Sequence, residues 1–151
     1  MIKIVYGDLL DAREDIIGHQ VNCQGKMGSG VALQVKKKYP RVYKYYLMLL
    51  EESKTRNISL LGTNHCVNVE NNKWVVNMFG QDKYGYDGNQ YTDLKALKEC
   101  LKELRELAEH KNFSVALPYL LGSDRGGADW KEVEQLILSA FDGYEVTLYK
   151  R

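Results

Sequence analysis

Short apolar runs alternate with longer amphipathic segments along the whole chain. The β-branched and aromatic runs predict six strands, at Lys3–Tyr6, Ile16–Val21, His65–Val69, Trp74–Phe79, Phe113–Leu117 and Glu145–Tyr149. Apolar positions three or four residues apart predict helices from Gly28 to about Tyr39, Val42 to Glu52, Thr92 to His110 and Asp129 through Phe141. Strands that alternate with helices in this way predict an α/β sandwich with a largely parallel or mixed sheet.

Local signals set the expected ends of several elements. Pro40 should separate the first two helices, and Asn71–Asn72 should form the turn between the third and fourth strands. Thr92 is a suitable N-cap for the third helix. Asp129, with Glu132 three residues later, gives an approximate capping box for the last helix.

Composition narrows the class of protein. The 151 residues are enough for one domain, expected to span residues 1–151, and 21 Lys and Arg against 20 Asp and Glu leave a net charge of +1. A dedicated nucleic-acid binder would need a clear cationic excess. No apolar run approaches the length of a membrane span, and the start lacks the features of a secretory signal. Three scattered cysteines favour a reducing cytoplasm, with no disulfide framework and no zinc site.

Two glycine-rich loops join a strand to a helix, the first from His19 to Gly30 and the second from Pro118 to Gly127. In such sheets ligands bind at the carboxyl ends of the strands, where loops meet helix N-termini. Each loop alone is equally well explained as a tight connection. Two of them in one small domain indicate a clamp around a polyphosphate, and neither matches GxxxxGK[ST], which argues against a P-loop NTPase.

Three polar side chains, Asp8 at the end of the first strand and two in the first loop, each allow two interpretations. Asp8 either caps a turn or accepts a hydrogen bond from an adenine amino group. Asn22 either bonds its own loop or holds a pair of ribose hydroxyls. His19 is either a neutral core histidine or a functional group.

At these loops the sequence resembles a macrodomain, the ADP-ribose-binding module, over essentially the whole chain. The motifs that carry the resemblance are Gly7–Leu9, His19–Asn22, Met27–Ala32, Lys36–Pro40, Pro118, Gly122, Gly126–Gly127 and Trp130. The pattern is most similar to the branch of terminal ADP-ribose glycohydrolases, DNA ADP-ribose-removing antitoxins and ADP-ribose-1″-phosphate phosphatases. The resemblance implies a three-layer α/β/α sandwich with a mixed six- or seven-stranded sheet.

The resemblance also implies the contacts of an ADP-ribose ligand. Asp8 and Leu9 would bind the adenine, and Asn22 the distal ribose. Tyr149 would lie near the adenine or would be a core strand residue. The backbone of the two loops would cradle the distal ribose and the phosphates, through Gly28, Ser29, Gly30, Val31, Gly122, Ser123, Arg125, Gly126 and Gly127.

The chain departs from the glycohydrolases of this branch where they use a catalytic lysine and an acid. Gln81 stands at the lysine position, and Lys83 follows two residues later. A neutral amide cannot form the covalent sugar adduct that an amine can. By ungapped count the acid position is Gly126, and Asp124 fits only if the loop is shifted.

The phosphatases of the branch resemble this chain more closely. They carry a histidine three residues before the asparagine, as His19 stands here, and an acid from the second loop, for which Asp124 is the candidate. His19 would transfer a proton near neutral pH, Asp124 would orient a water molecule, and Arg125 would offer charge to the phosphate. The main hypothesis is therefore hydrolysis of ADP-ribose-1″-phosphate to ADP-ribose and phosphate.

Three other hypotheses stay open: a non-catalytic reader of ADP-ribose, a hydrolase that removes ADP-ribose from protein or nucleic acid through Lys83 or Asp124, and a domain for another nucleotide. We expect ADP-ribose or a derivative as ligand, no cofactor, no metal and no membrane partner. Nucleic acid is expected only as an ADP-ribosylated substrate, and the protein is expected to be a monomer. Lys36–Lys38 fits a solvated helix end, Tyr84 and Tyr86 a loop beside the cleft, and Cys23 has no base beside it in sequence.

Overall fold

The computed structural model describes residues 1–85 and 87–151. Six strands form one sheet in the order β1–β6–β5–β2–β4–β3. Their bounds are β1 (Ile2–Tyr6), β2 (Ile16–Val21), β3 (Asn64–Glu70), β4 (Lys73–Phe79), β5 (Val115–Pro118) and β6 (Val146–Lys150). All neighbouring strands are parallel except β3 and β4, which form an antiparallel hairpin. Asn72, in the turn of that hairpin, has a φ of 58°.

Helices cover both faces of the sheet. Their bounds are α1 (Gly30–Lys38), α2 (Pro40–Thr55), α3 (Leu94–Lys111) and α4 (Trp130–Ala140). The α1–α2 pair packs with Ile17, Val75 and Phe79 in one core, and the α3–α4 pair packs with Val76 and Met78 in the other. Successive strand residues point to opposite faces, so the side chains of one apolar strand pack alternately into the two cores. The predicted three-layer α/β/α sandwich with a mixed sheet is confirmed, with six strands.

Three predicted helix starts differ from the structure, and one is that of α2, which begins at Pro40 rather than Val42. Asp93, rather than Thr92, caps α3, and its Oδ1 accepts a hydrogen bond from the Ala96 N–H at 3.0 Å. The Thr92 hydroxyl instead donates to the carbonyl oxygen of Gly122, which a distant loop supplies. The first helix begins at Gly30 rather than Gly28, and Gly30 has a φ of +58° that interrupts helical geometry before it.

The topology brings the functional loops to one edge of the sheet. Strands β1, β2, β4, β5 and β6 are parallel, so their carboxyl ends all lie at that edge. Within the described ranges no helix is long and apolar enough to cross a bilayer. The same residues contain no group of three or more His, Cys, Asp or Glu side chains that could hold a metal ion.

Candidate active site

A cleft of about 360 Å³ opens at the carboxyl edge of the sheet. Three segments form it: the loop after β2 with the start of α1, the loop after β4, and the loop after β5. The loops after β2 and β5 are the two glycine-rich loops of the sequence, and they approach each other closely. A Cβ atom built on Gly30 would lie 3.6 Å from Cγ of Arg125.

The cleft brings together most of the residues that the sequence singled out. Those that line it are His19, Asn22, Gly28, Ser29, Gly30, Val31, Gly122, Asp124, Arg125 and Gly126. Asp8, Leu9, Ser123, Gly127 and Tyr149 do not line it.

The N-terminus of α1 lies at the wall of the cleft, because residues 28–32 all line it. Ser29 is the N-cap residue, with an extended backbone, and its side chain makes no capping hydrogen bond. The first amide groups of a helix and its dipole favour an anion when no side chain caps them. This wall is therefore suited to a phosphate group.

The loop after β5 is held in a tight conformation at the opposite wall. Gly122 and Gly127 have φ values of +70° and +71°. A Cβ atom on Gly126 would lie 2.1 Å from Oγ1 of Thr92 and 2.6 Å from the carbonyl oxygen of Gly122. Only glycine fits at position 126 without moving the loop.

A network of polar side chains connects the floor of the cleft to that loop. Nε2 of Gln20 donates to Oε1 of Gln81 at 2.7 Å and to Oγ1 of Thr92 at 2.8 Å. The Thr92 hydroxyl donates onward to the carbonyl oxygen of Gly122 at 2.7 Å, and Nε2 of Gln81 donates to the carbonyl oxygen of Lys83 at 2.7 Å. Gln81, at the lysine position of the family pattern, therefore holds the loops in place.

Asn22 organises the first loop from within. Its Oδ1 accepts hydrogen bonds from the backbone N–H groups of Gln24 and Lys26 and from the Tyr46 hydroxyl, while its Nδ2 donates to the carbonyl oxygen of Lys26. These bonds occupy the oxygen and one of the two amide hydrogens, and one N–H of Nδ2 is left for a ligand.

His19 lies on β2 in the floor of the cleft and is only 1% exposed. Its Nε2 is 2.6 Å from Oδ1 of Asn77 on β4. Burial lowers the pKa of His19 to about 4, against a partial opposing effect of the Asn77 hydrogen bond. The lowered pKa favours a neutral imidazole at pH 7, and the catalytic role of His19 stays a prediction.

Asp124 and Arg125 are exposed on the loop after β5 and line the cleft from the side opposite α1. Lys26, which the sequence analysis did not single out, lines it as well. One carboxylate and two cationic side chains therefore border a cleft whose floor is uncharged.

The residues expected at the adenine do not line the cleft. Oδ1 of Asp8 accepts a hydrogen bond from the Leu10 N–H, and Oδ2 lies 2.6 Å from Nη2 of Arg151. These two contacts lower the pKa of the Asp8 carboxyl group. Leu9 is buried in the core beneath α1 and α2. The Tyr149 hydroxyl donates to Oε1 of Glu14 at 2.6 Å, and burial together with that bond raises its pKa to about 12.

Two residues of the second loop also lie outside the cleft. Oγ of Ser123 is buried and has no hydrogen-bond partner among the described residues. A Cβ atom on Gly127 would lie 2.5 Å from the carbonyl oxygen of Asn89, so this glycine packs against the loop before α3.

The remaining sequence candidates fall into four groups. Burial and the nearby Asp82 raise the pKa of Cys23 to about 11, which argues against a nucleophilic thiolate. Lys83 is exposed and does not line the cleft, whereas Tyr84 does. Lys36–Lys38 ends α1 at its C-terminal turn. Tyr86 lies outside the described residues.

Sequence reasoning assigned no role at the cleft to Gln20, Thr92 or Asn77, whose hydrogen bonds hold the cleft floor and the second loop. A signal was present, because Gln20 and Asn77 are polar residues inside apolar strands. A polar residue at a buried strand position indicates a specific contact, because a buried polar group needs a hydrogen-bond partner.

Comparisons with known proteins bear on this site. The family model described as Macro domain matches residues 19–137. A curated relative named DNA ADP-ribosyl glycohydrolase, from Mycobacterium tuberculosis, is 34% identical over 145 residues, covering 93% of this chain and 39% of the relative. This chain thus spans about two fifths of that relative's length.

The chain is also similar to a second curated relative and to a solved structure. An ADP-ribose 1″-phosphate phosphatase from Meyerozyma guilliermondii is 28% identical over 126 residues, covering 72% of each chain. The solved macrodomain of Mycobacterium tuberculosis DarG has a TM-score of 0.82 and 30% identity, covering 100% of this chain and 98% of that one.

Proposed function

This chain belongs to the Macro domain family, and from that premise we propose that it binds ADP-ribose in the cleft and hydrolyses an ADP-ribose derivative, ADP-ribose-1″-phosphate first among them. The observation that carries the proposal is the cleft itself. The uncapped N-terminus of α1 faces the glycine-rich loop after β5, and an acid and two cationic side chains border the space between them. The relatives named as glycohydrolase and phosphatase support a hydrolytic reaction.

The ligand would lie across the carboxyl edge of the sheet. The amide groups at residues 28–31 would bind one phosphate and the distal ribose, and the loop from Gly122 to Gly127 would enclose the pyrophosphate. The remaining N–H of Asn22 would donate to a distal ribose hydroxyl. The adenine would lie toward Asp8, whose Oδ2 would accept a hydrogen bond from the adenine amino group in addition to the one that it accepts from Nη2 of Arg151.

Hydrolysis of the 1″-phosphate needs a water molecule at the phosphorus atom and charge to balance the phosphoryl oxygens. Asp124 would orient that water and accept its proton, and Arg125 would neutralise phosphoryl charge. The products are ADP-ribose and inorganic phosphate. His19, neutral at pH 7, would contribute a hydrogen-bond acceptor rather than a proton.

The first experiment is a phosphorus NMR time course with ADP-ribose-1″-phosphate. We expect shifts at the pyrophosphate signals and growth of the free phosphate signal. Asp124→Asn should keep the pyrophosphate shifts and lose phosphate release, while Glu106→Gln, an exposed carboxylate change on α3, should behave as the original protein. Unchanged pyrophosphate signals at saturating protein would reject ADP-ribose binding altogether.

A second candidate function is removal of ADP-ribose from nucleic acid. It is favoured by the 34% identity to the DNA ADP-ribosyl glycohydrolase over nearly the whole chain. Gln81 at the lysine position requires a route without a covalent sugar adduct, in which Asp124 activates water at the sugar carbon. A gel assay with an ADP-ribosylated oligonucleotide tests it, with Lys83→Ala separating a lysine route from an Asp124 route.

The phosphorus NMR and gel assays together also test whether the protein binds ADP-ribose without hydrolysing a derivative. Perturbed pyrophosphate signals with no release of phosphate or of ADP-ribose would favour a non-catalytic reader. Binding would then still reside in the cleft, and only the hydrolytic part of the proposal would fail.

A further inference from the structure

Three polar side chains occupy one level of the sheet on neighbouring strands. His19 on β2 pairs in register with Asn77 on β4, and Asn77 pairs in register with His65 on β3. Residues in register share a face of the sheet, and these three lie on the face covered by α1 and α2. Asn77 is fully buried, so the oxygen and the nitrogen of its side-chain amide can bond only to nearby polar atoms.

One hydrogen bond in this row is well defined. Nε2 of His19 lies 2.6 Å from Oδ1 of Asn77. An amide oxygen only accepts, so the hydrogen of this bond is on Nε2. A neutral imidazole carries one hydrogen, and Nδ1 of His19 is then an acceptor.

That acceptor has no partner in the protein. Among the described residues, Nδ1 of His19 is buried and makes no hydrogen bond, although His19 lines the cleft. An unpaired buried acceptor is unfavourable unless a bound group supplies a donor. Apart from the adenine amino group, the donors that ADP-ribose offers are hydroxyl groups.

We infer that Asn77 is a positioning residue that fixes the His19 tautomer and leaves Nδ1 to accept a hydrogen bond from a distal-ribose hydroxyl of the ligand. The inference rests on the proposed function for the identity of that ligand. It assigns His19 to ligand orientation through an acceptor, and it gives Asn77 a role that neither the motifs nor the family pattern had assigned.

The tautomer is measured directly in the unliganded protein. Long-range proton–nitrogen correlation spectra distinguish a protonated from an unprotonated ring nitrogen, and the chain has three histidines. His65→Gln and His110→Gln assign the signals of His19 by elimination. We expect a protonated Nε2 and an unprotonated Nδ1 at pH 7. A hydrogen on Nδ1 would mean that the Asn77 amide is reversed, and would overturn the inference.

Ligand titrations test the second part of the inference, the hydrogen bond from the ligand to Nδ1 of His19. ADP-ribose should move the Nδ1 signal of His19 in the direction of a hydrogen-bonded acceptor, whereas ADP, which lacks the distal ribose, should leave it in place. Amide signals at residues 28–31 report binding independently. If those amides shift with ADP-ribose and Nδ1 does not, the inference fails while the proposed function stands. If neither the amide signals nor the Nδ1 signal shifts, the proposed function fails, and so does the proposed hydrogen bond from the ligand to His19. The tautomer spectrum of the unliganded protein still decides whether Asn77 positions the His19 ring.

Two variants separate positioning from simple packing. Asn77→Asp keeps an acceptor for Nε2 and should keep a single tautomer. Asn77→Leu keeps the branched shape and removes the acceptor, so both tautomers should be populated and ADP-ribose affinity should fall about tenfold. Leu and Asp variants that give the same spectrum would contradict the inference. Circular dichroism checks that both are folded, and the spectrum of the unmodified protein decides the matter if either is not.

Discussion

The pKa of His19 is a property of one buried residue that affects the stability of the whole chain. An unfolded histidine binds a proton below about pH 6.5, whereas folded His19 does so only below about pH 4. Between these values the unfolded state holds more protons, so stability falls as the pH is lowered through this window and is unaffected by His19 above it.

We therefore predict that His19→Asn removes part of the acid sensitivity of the protein. The full contribution, reached near pH 4, is about 3 kcal/mol in the free energy of unfolding. Urea denaturation at pH 7 and at steps down to pH 4.5 measures it. His110→Gln, at the exposed end of α3, is the control and should keep the original pH dependence. Parallel curves for all three proteins would contradict the prediction.

Thr92 carries a second prediction at the scale of a residue. Its hydroxyl accepts from Gln20 and donates to the carbonyl oxygen of Gly122, and it is 4% exposed. Thr92→Val keeps the shape and removes both bonds, so we expect a loss of about 1–3 kcal/mol in stability together with weaker ADP-ribose binding. Thr92→Ser retains the hydroxyl and should preserve both. Calorimetric titration and thermal unfolding measure the two effects, and equal behaviour of Val and Ser would argue against the network.

At the scale of an element, α1 serves two purposes that conflict. Its N-terminus lacks a side-chain cap, which costs helix stability, and the same uncapped amides line the cleft. The three lysines at its other end complement the dipole. A helix optimised for stability alone would carry an acid at its first turn, and α1 has none there.

Ser29→Asp tests this conflict. A carboxylate at the N-cap should raise the free energy of unfolding by about 0.5 kcal/mol, because it interacts with the helix dipole. It should lower ADP-ribose affinity by about tenfold or more, because it repels the phosphates. Ser59→Asp, at an exposed position outside the cleft, adds the same charge as a control. A stabilised variant that still binds ADP-ribose normally would show that the phosphates do not lie at this helix.

Charge is a property of the molecule as a whole. With 21 cationic and 20 acidic side chains, the chain has no large cationic excess, and we expect no general attraction for a polyanion. Any nucleic-acid substrate would then be recognised through its ADP-ribose group rather than through its backbone.

The corresponding prediction compares two oligonucleotides at about 0.15 M salt. Fluorescence anisotropy should detect no binding of the unmodified strand, while the ADP-ribosylated strand should bind about as tightly as free ADP-ribose. Competition by free ADP-ribose provides the control. Similar affinity for both strands would instead indicate a backbone-binding surface.

The pattern of the sequence predicted the strands, the helices and the α/β class, because periodicities of about two and about 3.6 residues follow from local backbone geometry. The glycine-rich loops could also be predicted from the sequence, because their constraint is local. Positive φ values, as at Gly122 and Gly127, and close approach of the backbone both favour glycine. Family membership followed from these motifs and is confirmed by the match over residues 19–137.

The tertiary structure alone decided what each polar side chain does. Thr92 was expected to cap α3 and instead bonds Gly122, thirty residues later in the chain. His19 and Asn77 lie 58 residues apart and meet only because β2 and β4 pair in register. Burial then lowers the His19 pKa, an effect of the surrounding core that no neighbouring residue in the sequence could reveal. Local periodicity encodes elements, whereas hydrogen-bond partners and desolvation depend on contacts between distant segments, and those exist only in the folded chain.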